Sequence, residues 1–231
     1  MDIDDGNWQK LLMDGAARLG VFVSPDHAAA MGRHAREMLH WNTVSNLTTI
    51  VDPAAVALKH YVDSLAAAKF ATQGAIVLDA GSGAGFPGIP LKILRPDLTV
   101  TLVDSVRRKI SFLNYVISVL KLAGITAVHG RLEALGKMPE YRMRFDQVIC
   151  RAFSSLEEFA AKGLFFLKPG GMLLAMKGPQ ASHDHETGTL HRSDIIFLAK
   201  HAFRIRMHAY ELPFSGDQRL LVQLTLMGRQ P

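Results

Sequence analysis

Two carboxylates and a cluster of glycines follow apolar segments in the middle of the chain. Residues 77–88 read VLDAGSGAGFPG, so an apolar run continues through Asp79 directly into a glycine-rich loop. Asp104 lies near the end of the next apolar run, residues 99–105. Glycines let the backbone turn sharply and let a ligand approach the main chain without interference from a side chain. The pattern therefore predicts a ligand site at the carboxyl ends of two strands.

The glycine loop satisfies two ligand-binding patterns. Residues 83–88 match G-x-G-x-x-G, which is typical of dinucleotide-binding proteins, and residues 79–85 match D-x-G-x-G-x-G, which is typical of methyltransferases that use S-adenosylmethionine (SAM). Asp79 favours the second pattern, because a carboxylate neutralises the ammonium of SAM but repels a pyrophosphate. Asp104 can accept hydrogen bonds from the ribose hydroxyls of either cofactor. We therefore expect SAM to be bound by Asp79, Gly81, Gly83 and Asp104.

Short apolar strands alternate with helical segments from residue 75 onward. The predicted strands are 75–80, 99–105, 125–130, 145–152, 171–178, 203–212 and 219–227. Helices are expected between them at about 89–95, 106–123 and 154–167. This alternation indicates a parallel sheet with both faces covered, and the short turn before the last strand indicates antiparallel pairing there. The expected fold is α/β, with a seven-stranded, doubly wound, Rossmann-like sheet of the SAM methyltransferase type and an antiparallel last strand.

Residues 1–72 carry the periodicity of helices and no convincing strand. Apolar residues recur at helical spacing over 7–19 and 25–41, and a third helix is expected from about residue 52 to 69. Residues 42–49, which read NTVSNLTT, are expected to form a loop. We expect 1–72 to be a helical extension that packs as a cap on a methyltransferase domain formed by 73–231.

The composition excludes several classes of protein. The chain has 231 residues, 48% of them hydrophobic, and its single cysteine, Cys150, rules out an internal disulfide or a cysteine-based zinc site. The acidic N-terminus is unlike a signal peptide, and no apolar run is long enough to span a bilayer. We therefore expect a soluble, cytoplasmic protein with no membrane partner. We also expect it to be a monomer, although the composition does not bear on the oligomeric state. The net charge is −2 over residues 1–75 and +7 over 76–231, which is compatible with a polyanionic partner.

Six short motifs together resemble the ribosomal small-subunit methyltransferase G family. They are NLT at 46–48, KHYVDSL at 59–65, FPGIPL at 86–91, LVDS at 102–105, RAF at 151–153 and KG at 177–178. The likeness covers about residues 7–227. It implies a bacterial enzyme that uses SAM to methylate N7 of a guanine in 16S ribosomal RNA, with S-adenosyl-L-homocysteine as product and the RNA or the small ribosomal subunit as partner.

The resemblance also implies which residues form the site. The SAM contacts of the family fall on Gly81, Phe86, Leu132, Glu133 and Arg151, and family arginines at or near the site match Arg131, Arg151 and Arg219. The chain departs from the family at four places. Ser82 and Ala84 stand where the family often has Thr and Pro, Cys150 stands where it often has Ser, and GDQR at 216–219 replaces a more usual Gly-Glu-Arg.

The chemistry at guanine N7 asks for positioning rather than for a general base. N7 carries a lone pair and no proton, so it must only be held in line with the methyl group. A cation is expected on O6 or on the phosphates, because a donor on N7 would block the attack. Arg151 and Lys177 follow adjacent strands and are the candidate catalytic residues in this role. Further arginines are candidates for binding the RNA: Arg107, Arg108, Arg131 and Arg219.

Other interpretations remain open at the level of sequence. A SAM methyltransferase that acts on a protein or a small molecule fits the same loop, an NAD-binding oxidoreductase fits residues 83–88, and a non-catalytic RNA-binding module fits the basic charge. No metal is expected, because the polar stretch that contains His183, His185 and His191 is typical of a surface loop. Three residues of the family motifs either cap and dock helices or contact substrate: Asn46, His60 and Asp63.

Overall fold

An eight-stranded sheet forms the centre of the protein. The structure is a computed structural model, and it describes residues 2–3, 5–151, 153, 155–178 and 195–227. The strands are β1 (Ile76–Ala80), β2 (Thr99–Asp104), β3 (Ile125–His129), β4 (Phe145–Arg151), β5 (Leu167–Lys177), β6 (Ile195–Leu198), β7 (His201–Glu211) and β8 (Gln218–Leu226). Their order across the sheet is β3-β2-β1-β4-β5-β8-β7-β6. The first five strands are parallel, and β8 is antiparallel to both β5 and β7, which confirms the expected α/β class and the antiparallel last strand.

The expected number of seven strands is wrong, because β6 adds an edge strand. It pairs with the start of β7 across the two-residue turn Ala199-Lys200, where φ is +49° and +66°. Two successive positive φ angles are typical of the type I′ hairpin turn, which sequences usually mark with Asn-Gly or Asp-Gly. Ala-Lys carries no such mark, and four apolar residues are too few to show a period. The strand therefore depends on pairing that its own sequence does not indicate.

Helices cover both faces of this sheet. Along β1, Val77 belongs to the apolar core on one face and Leu78 to the core on the other, because successive strand residues point to opposite sides. The first core includes residues of α5 (Gly88–Leu94) and α6 (Arg107–Val119). The second includes residues of α8 (Leu156–Gly163) and of the short α7 (Leu132–Leu135). The sheet is thus doubly wound, as expected.

The N-terminal helices pack on the face that carries α5 and α6. They are α1 (Gly6–Arg18), α2 (Pro25–Ser45), α3 (Pro53–Val56), a segment of π-helix that we call the π-turn (Ala57–Val62), and α4 (Asp63–Leu65). The start of α2 is capped by Ser24, whose hydroxyl accepts from the His27 N–H at 3.2 Å, and its end extends through residues 42–45 of the expected loop. None of the helices in the described part of the chain combines the length and the apolar character needed to cross a bilayer.

The strand register brings the predicted site residues to one edge of the sheet. Ala80 of β1 is level with Val103 of β2 and with Cys150 of β4. The residues that directly follow these three therefore lie side by side at the carboxyl ends of the strands. Arg151 is in turn level with Met176 of β5. The carboxyl ends of these parallel strands therefore form one rim, which is where open α/β sheets bind ligands.

Candidate active site

The glycine loop between β1 and α5 is held open by its backbone conformation. Gly81 and Gly83 have φ angles of +76° and +59°, which side-chain-bearing residues rarely adopt. A Cβ at either position would have no atom within 4 Å, so open space lies beside both residues. The amides of Gly81 and Ser82 both donate to the Val103 carbonyl at 2.9 Å, which joins the loop to β2. The loop therefore presents bare backbone toward a space that a ligand can fill.

Asp79 is fully buried beneath this loop. Its Oδ2 accepts a hydrogen bond from the Gly88 N–H at 2.8 Å, while Oδ1 has no partner among the described residues. Burial raises the pKa of Asp79 to about 7, although the Gly88 N–H acts in the opposite direction. A buried acceptor without a donor destabilises the protein, and a cation beside it removes that cost. The unpartnered Oδ1 has the chemistry to accept the ammonium of SAM, the ligand that the loop pattern predicts, but Asp79 is 0% exposed and lines neither of the cavities described below.

The carboxylate of Asp104 is oriented by two backbone amides. The Gly83 N–H donates to Oδ2 at 3.0 Å and the Val106 N–H donates to Oδ1 at 2.8 Å. The Nζ of Lys109 lies 3.8 Å from Oδ2. An ionised carboxylate has about four acceptor positions, so each oxygen can still accept one more donor. Asp104 thus has the geometry to accept a pair of ribose hydroxyls.

A cavity of about 280 Å³ opens at the ends of β1, β2 and β3. Five of the predicted site residues line it: Gly81, Asp104, Arg131, Leu132 and Glu133. Five residues that were not predicted complete the lining: Val103, Ser105, Gly130, Phe153 and Lys162. Lys162 of α8 reaches Glu133 at 2.7 Å, which lowers the pKa of that carboxyl. No local motif marks Lys162, because only the packing of α8 against α7 brings it here. We call this space the cofactor cavity.

A second cavity, of about 240 Å³, lies beside the ends of β4 and β5. Four cations and one carboxylate line it along with His60 and apolar residues: Ile50, Lys59, His60, Asp63, Arg151, Met176, Lys177, Gly178 and Arg219. The structure therefore brings together Arg151, Lys177 and Arg219, three of the residues that the sequence predicts for the site. Lys59 was not predicted, although it begins the KHYVDSL motif. The excess of positive charge is suited to an anionic substrate, and we call this space the basic cavity.

The charges around the basic cavity alternate in sign. Lys59 pairs with Asp217 at 3.2 Å, Arg219 contacts Asp217 at 3.1 Å through Nη2, and its Nε lies 3.3 Å from Oδ1 of Asp63. The Tyr210 hydroxyl donates to the same Asp63 oxygen at 2.7 Å. Burial raises the pKa of Asp63, while the neighbouring arginines act in the opposite direction. The chain of contacts joins the N-terminal helices to the turn between β7 and β8.

Arg151 and Phe86 lie together next to this chain of charges. The guanidinium of Arg151 stands 5.0 Å above the Phe86 ring, and its Nη1 is 4.0 Å from Oδ2 of Asp63. The Phe86 ring is 3% exposed and also stacks on His60 at 4.5 Å, so it forms the floor under Arg151 rather than a wall of the cofactor cavity. Nζ of Lys177 donates to the Phe153 carbonyl at 3.4 Å. Since Phe153 lines the cofactor cavity and Lys177 the basic cavity, this contact joins the walls of the two.

Cys150 is buried directly before Arg151, as expected for a small core residue. Burial raises the pKa of its thiol, so the thiolate form is disfavoured.

The family follows from the whole chain rather than from the site alone. The family model for rRNA small subunit methyltransferase G matches residues 27–205. The chain belongs to this family. It is 42% identical over 214 residues to the ribosomal RNA small subunit methyltransferase G of Geobacter sp. (strain M21), a match that covers 93% of this chain and 95% of that protein. The protein of the same name from Geobacter sulfurreducens is 36% identical, with 95% of this chain and 98% of that one covered.

Solved structures place this methyltransferase G family member in a wider fold class. A SAM dependent methyltransferase from Aquifex aeolicus superposes with a TM-score of 0.56 at 19% identity, over 79% of this chain and 98% of that one. A predicted O-methyltransferase from Agrobacterium tumefaciens superposes with a TM-score of 0.55 at 18% identity, over 72% and 81%. At these identities the likeness concerns the fold, and it agrees with the expected Rossmann-like architecture.

The remaining predicted residues of this family member lie away from both cavities or outside the described ranges. Arg107 and Arg108 are exposed in the first turn of α6, which follows Asp104 along the chain. The predicted surface loop with His183, His185 and His191 lies outside the described residues. Within the ranges that the structure describes, no group of three or more His, Cys, Asp or Glu side chains is placed to bind a metal ion.

Proposed function

We propose that this protein transfers a methyl group from SAM to N7 of a guanine in 16S ribosomal RNA. The observation that carries the proposal is the adjacency of the cofactor cavity and the basic cavity, joined where Lys177 contacts Phe153. A donor and an anionic acceptor can meet only if their sites share a boundary. Membership of the methyltransferase G family supports the choice of donor and acceptor.

The cofactor would be held mainly by groups that are already oriented. Oδ1 of Asp79 can accept the ammonium, Asp104 the ribose hydroxyls, and the bare backbone at Gly81 and Gly83 allows close approach. Leu132 and Glu133, which line the cofactor cavity, are proposed as further contacts, and Phe86 and Arg151 are retained as predicted contacts although neither lines that cavity. When bound, SAM supplies a methyl group on a positively charged sulfur, which an uncharged nucleophile can attack.

The residues of the basic cavity suit a reaction that needs no general base. The His60 ring lines this cavity, but both of its nitrogens are engaged, one with Thr48 and one with Arg151. Arg151 and Lys177 would instead hold the guanine through O6 or a nearby phosphate and leave N7 free. Arg131 and Arg219, at the two cavities, and Arg107 and Arg108, in the exposed first turn of α6, would neutralise phosphates of the RNA.

Three further expectations concern the domain organisation, the oligomeric state and the location of the protein. Residues 1–72 would form a helical extension and 73–231 the methyltransferase domain. The enzyme would act as a monomer, and it would act in the cytoplasm. The contacts between the N-terminal helices and the basic cavity support an extension that is packed on the catalytic domain and does not fold away from it.

The test uses purified protein, methyl-labelled SAM, and either small ribosomal subunits or their naked RNA. We expect label in 16S RNA and, after borohydride reduction and aniline treatment, strand cleavage at one guanine. Absence of transfer together with absence of SAM binding would overturn the proposal. Label on protein or on a small molecule would favour the alternative methyltransferase. A thermal shift with NADH but not with SAM would favour the oxidoreductase.

A further inference from the structure

The KHYVDSL motif at 59–65 overlaps the π-turn (Ala57–Val62), whose hydrogen bonding leaves a carbonyl facing Arg151. In an α-helix the amide of Asp63 would donate to the carbonyl of Lys59, four residues earlier. Here it donates to the carbonyls of Leu58 and His60. The bypassed Lys59 oxygen accepts a hydrogen bond from Nη1 of Arg151 at 3.0 Å. Single π-turns within helices frequently occur at functional sites.

The same turn presents His60 to Arg151 in one defined tautomer. Nη2 of Arg151 lies 3.1 Å from Nδ1 of His60, and because a guanidinium only donates, Nδ1 must be the acceptor. The proton of the neutral ring therefore sits on Nε2, which donates to the Thr48 hydroxyl oxygen at 2.8 Å. That oxygen also accepts from the Ile50 N–H at 3.0 Å, so its position is defined by the backbone.

The ring of His60 stays uncharged over the physiological range. Burial and the nearby charge of Arg151 lower the pKa of His60 to about 3. With the proton of the neutral ring on Nε2, the lone pair of Nδ1 is available to Arg151 at physiological pH. His60 is 6% exposed, and it stacks on the Phe86 ring over which the guanidinium also stands.

These contacts hold Arg151 on several sides. The Lys59 carbonyl and His60 Nδ1 take two of the five N–H groups of the guanidinium, the Asp63 carboxylate lies 4.0 Å away, and Phe86 forms the floor. All three polar partners come from one turn of the N-terminal helices, about 90 residues before Arg151 in the chain.

We infer that His60 is a positioning residue for methyl transfer. Through Nδ1 it fixes the orientation of Arg151, and the π-turn thereby makes the N-terminal helices part of the active site. The inference rests on the proposed function, because it assigns Arg151 to the reacting guanine or the cofactor. It also gives the KHYVDSL motif a role besides helix packing.

A matched pair of variants tests this inference. In His60→Asn the side-chain oxygen can occupy the place of Nδ1 and accept from Arg151, whereas in His60→Gln the longer side chain puts its amide at the place of Nε2. Both variants lose the ring that stacks on Phe86, so both should lower the melting temperature similarly. We expect kcat of His60→Gln to be about tenfold or more below that of His60→Asn, as for loss of one hydrogen bond to a charged group.

Single-turnover and steady-state methylation of small ribosomal subunits, with melting curves for each protein, provide the readout. Equal kcat values for the two variants, or a higher value for His60→Gln, would overturn the inference. If the wild-type protein itself transfers no methyl group to RNA, the proposed function fails instead, so the two failures are distinguishable.

A second pair of variants acts through the tautomer and keeps His60 in place. Thr48→Val removes the oxygen that holds the Nε2 proton, so the proton can move to Nδ1 and oppose Arg151. Thr48→Ser keeps that oxygen. We expect kcat to fall severalfold more in Thr48→Val than in Thr48→Ser. Equal kcat values in these two proteins would overturn the inference even if neither His60 variant folds.

Discussion

Replacement of Asp104 by Asn should weaken SAM binding far more than it weakens the fold. The carboxylate accepts from the Gly83 N–H at 3.0 Å and from the Val106 N–H at 2.8 Å, and in the proposed complex it also accepts ribose hydroxyls. An Asn side chain has one acceptor oxygen, so its NH₂ group must face a donor at one of these places. The variant therefore loses charge-assisted acceptors in a site that is only 6% exposed.

The size of the effect follows from those hydrogen bonds. A hydrogen bond to a charged group contributes about 1.5–3 kcal/mol, and 1.4 kcal/mol corresponds to a factor of ten in Kd. Loss of one such bond to the ribose would weaken SAM binding by about 10- to 150-fold. Isothermal titration calorimetry with SAM measures this change directly. Urea denaturation without ligand separates it from any loss of stability.

Asp97→Asn is the matched control. Oδ2 of Asp97 accepts from the Gly74 N–H at 2.8 Å and pairs with Nη2 of Arg95 at 2.7 Å. These residues precede β1 and β2, at the opposite edge of the sheet from the cofactor cavity. The control should unfold more easily and bind SAM as the wild type does. Wild-type affinity in Asp104→Asn, or an equal loss of affinity in both variants, would refute the assignment of Asp104 to the ribose.

Four further outcomes are expected. Because burial raises the pKa of Asp79 to about 7, SAM affinity should increase up to tenfold per pH unit between about pH 5.5 and 7, and calorimetry should find this dependence absent in Asp79→Asn. Arg151→Lys keeps the charge but loses the paired hydrogen bonds to the Lys59 carbonyl and to Nδ1 of His60, so kcat should fall by about tenfold or more in the labelled-methyl assay. An unchanged kcat would contradict this. Arg107→Ala and Arg108→Ala should each lower the salt dependence of RNA binding by about one unit of slope without changing SAM affinity, as filter binding at several salt concentrations can determine. Burial lowers the pKa of His34 from 6.5 to about 4, so the unfolded chain takes up its proton first as the pH falls; the free energy of unfolding should decrease by up to about 3 kcal/mol from pH 6.5 to 4, and urea denaturation should find a smaller decrease in His34→Gln.

The glycine loop was predictable because its requirements are local. Positive φ at Gly81 and Gly83, an acid on the strand before them and a helix after them are properties of about ten consecutive residues. The same holds for Asp104, whose place at the end of β2 follows from a short apolar run. Parallel pairing then brings the two strand ends together without further information.

The N-terminal helices show where local reasoning stops. Their helical periodicity was visible, yet the role of His60 and Asp63 was not, because it depends on Arg151 and Arg219 far along the chain. His34 is a comparable case: its ring is buried between the Ala84 carbonyl of the glycine loop, at 3.0 Å, and the Tyr61 hydroxyl, at 2.9 Å. A buried histidine in a helix has the same sequence signature whether it supports a loop or only fills a core.

The sequence by itself determined the family, the class of fold and the cofactor loop, because these depend on residue types at short spacing and on the order of motifs. Only the tertiary structure decided the eighth strand, the floor that Phe86 forms under Arg151, and the alternating charges around Asp63. The physical reason is the distance along the chain. Backbone conformation is set by neighbouring residues, whereas the partner of a buried charge is whichever group the packing of remote segments brings within hydrogen-bonding reach.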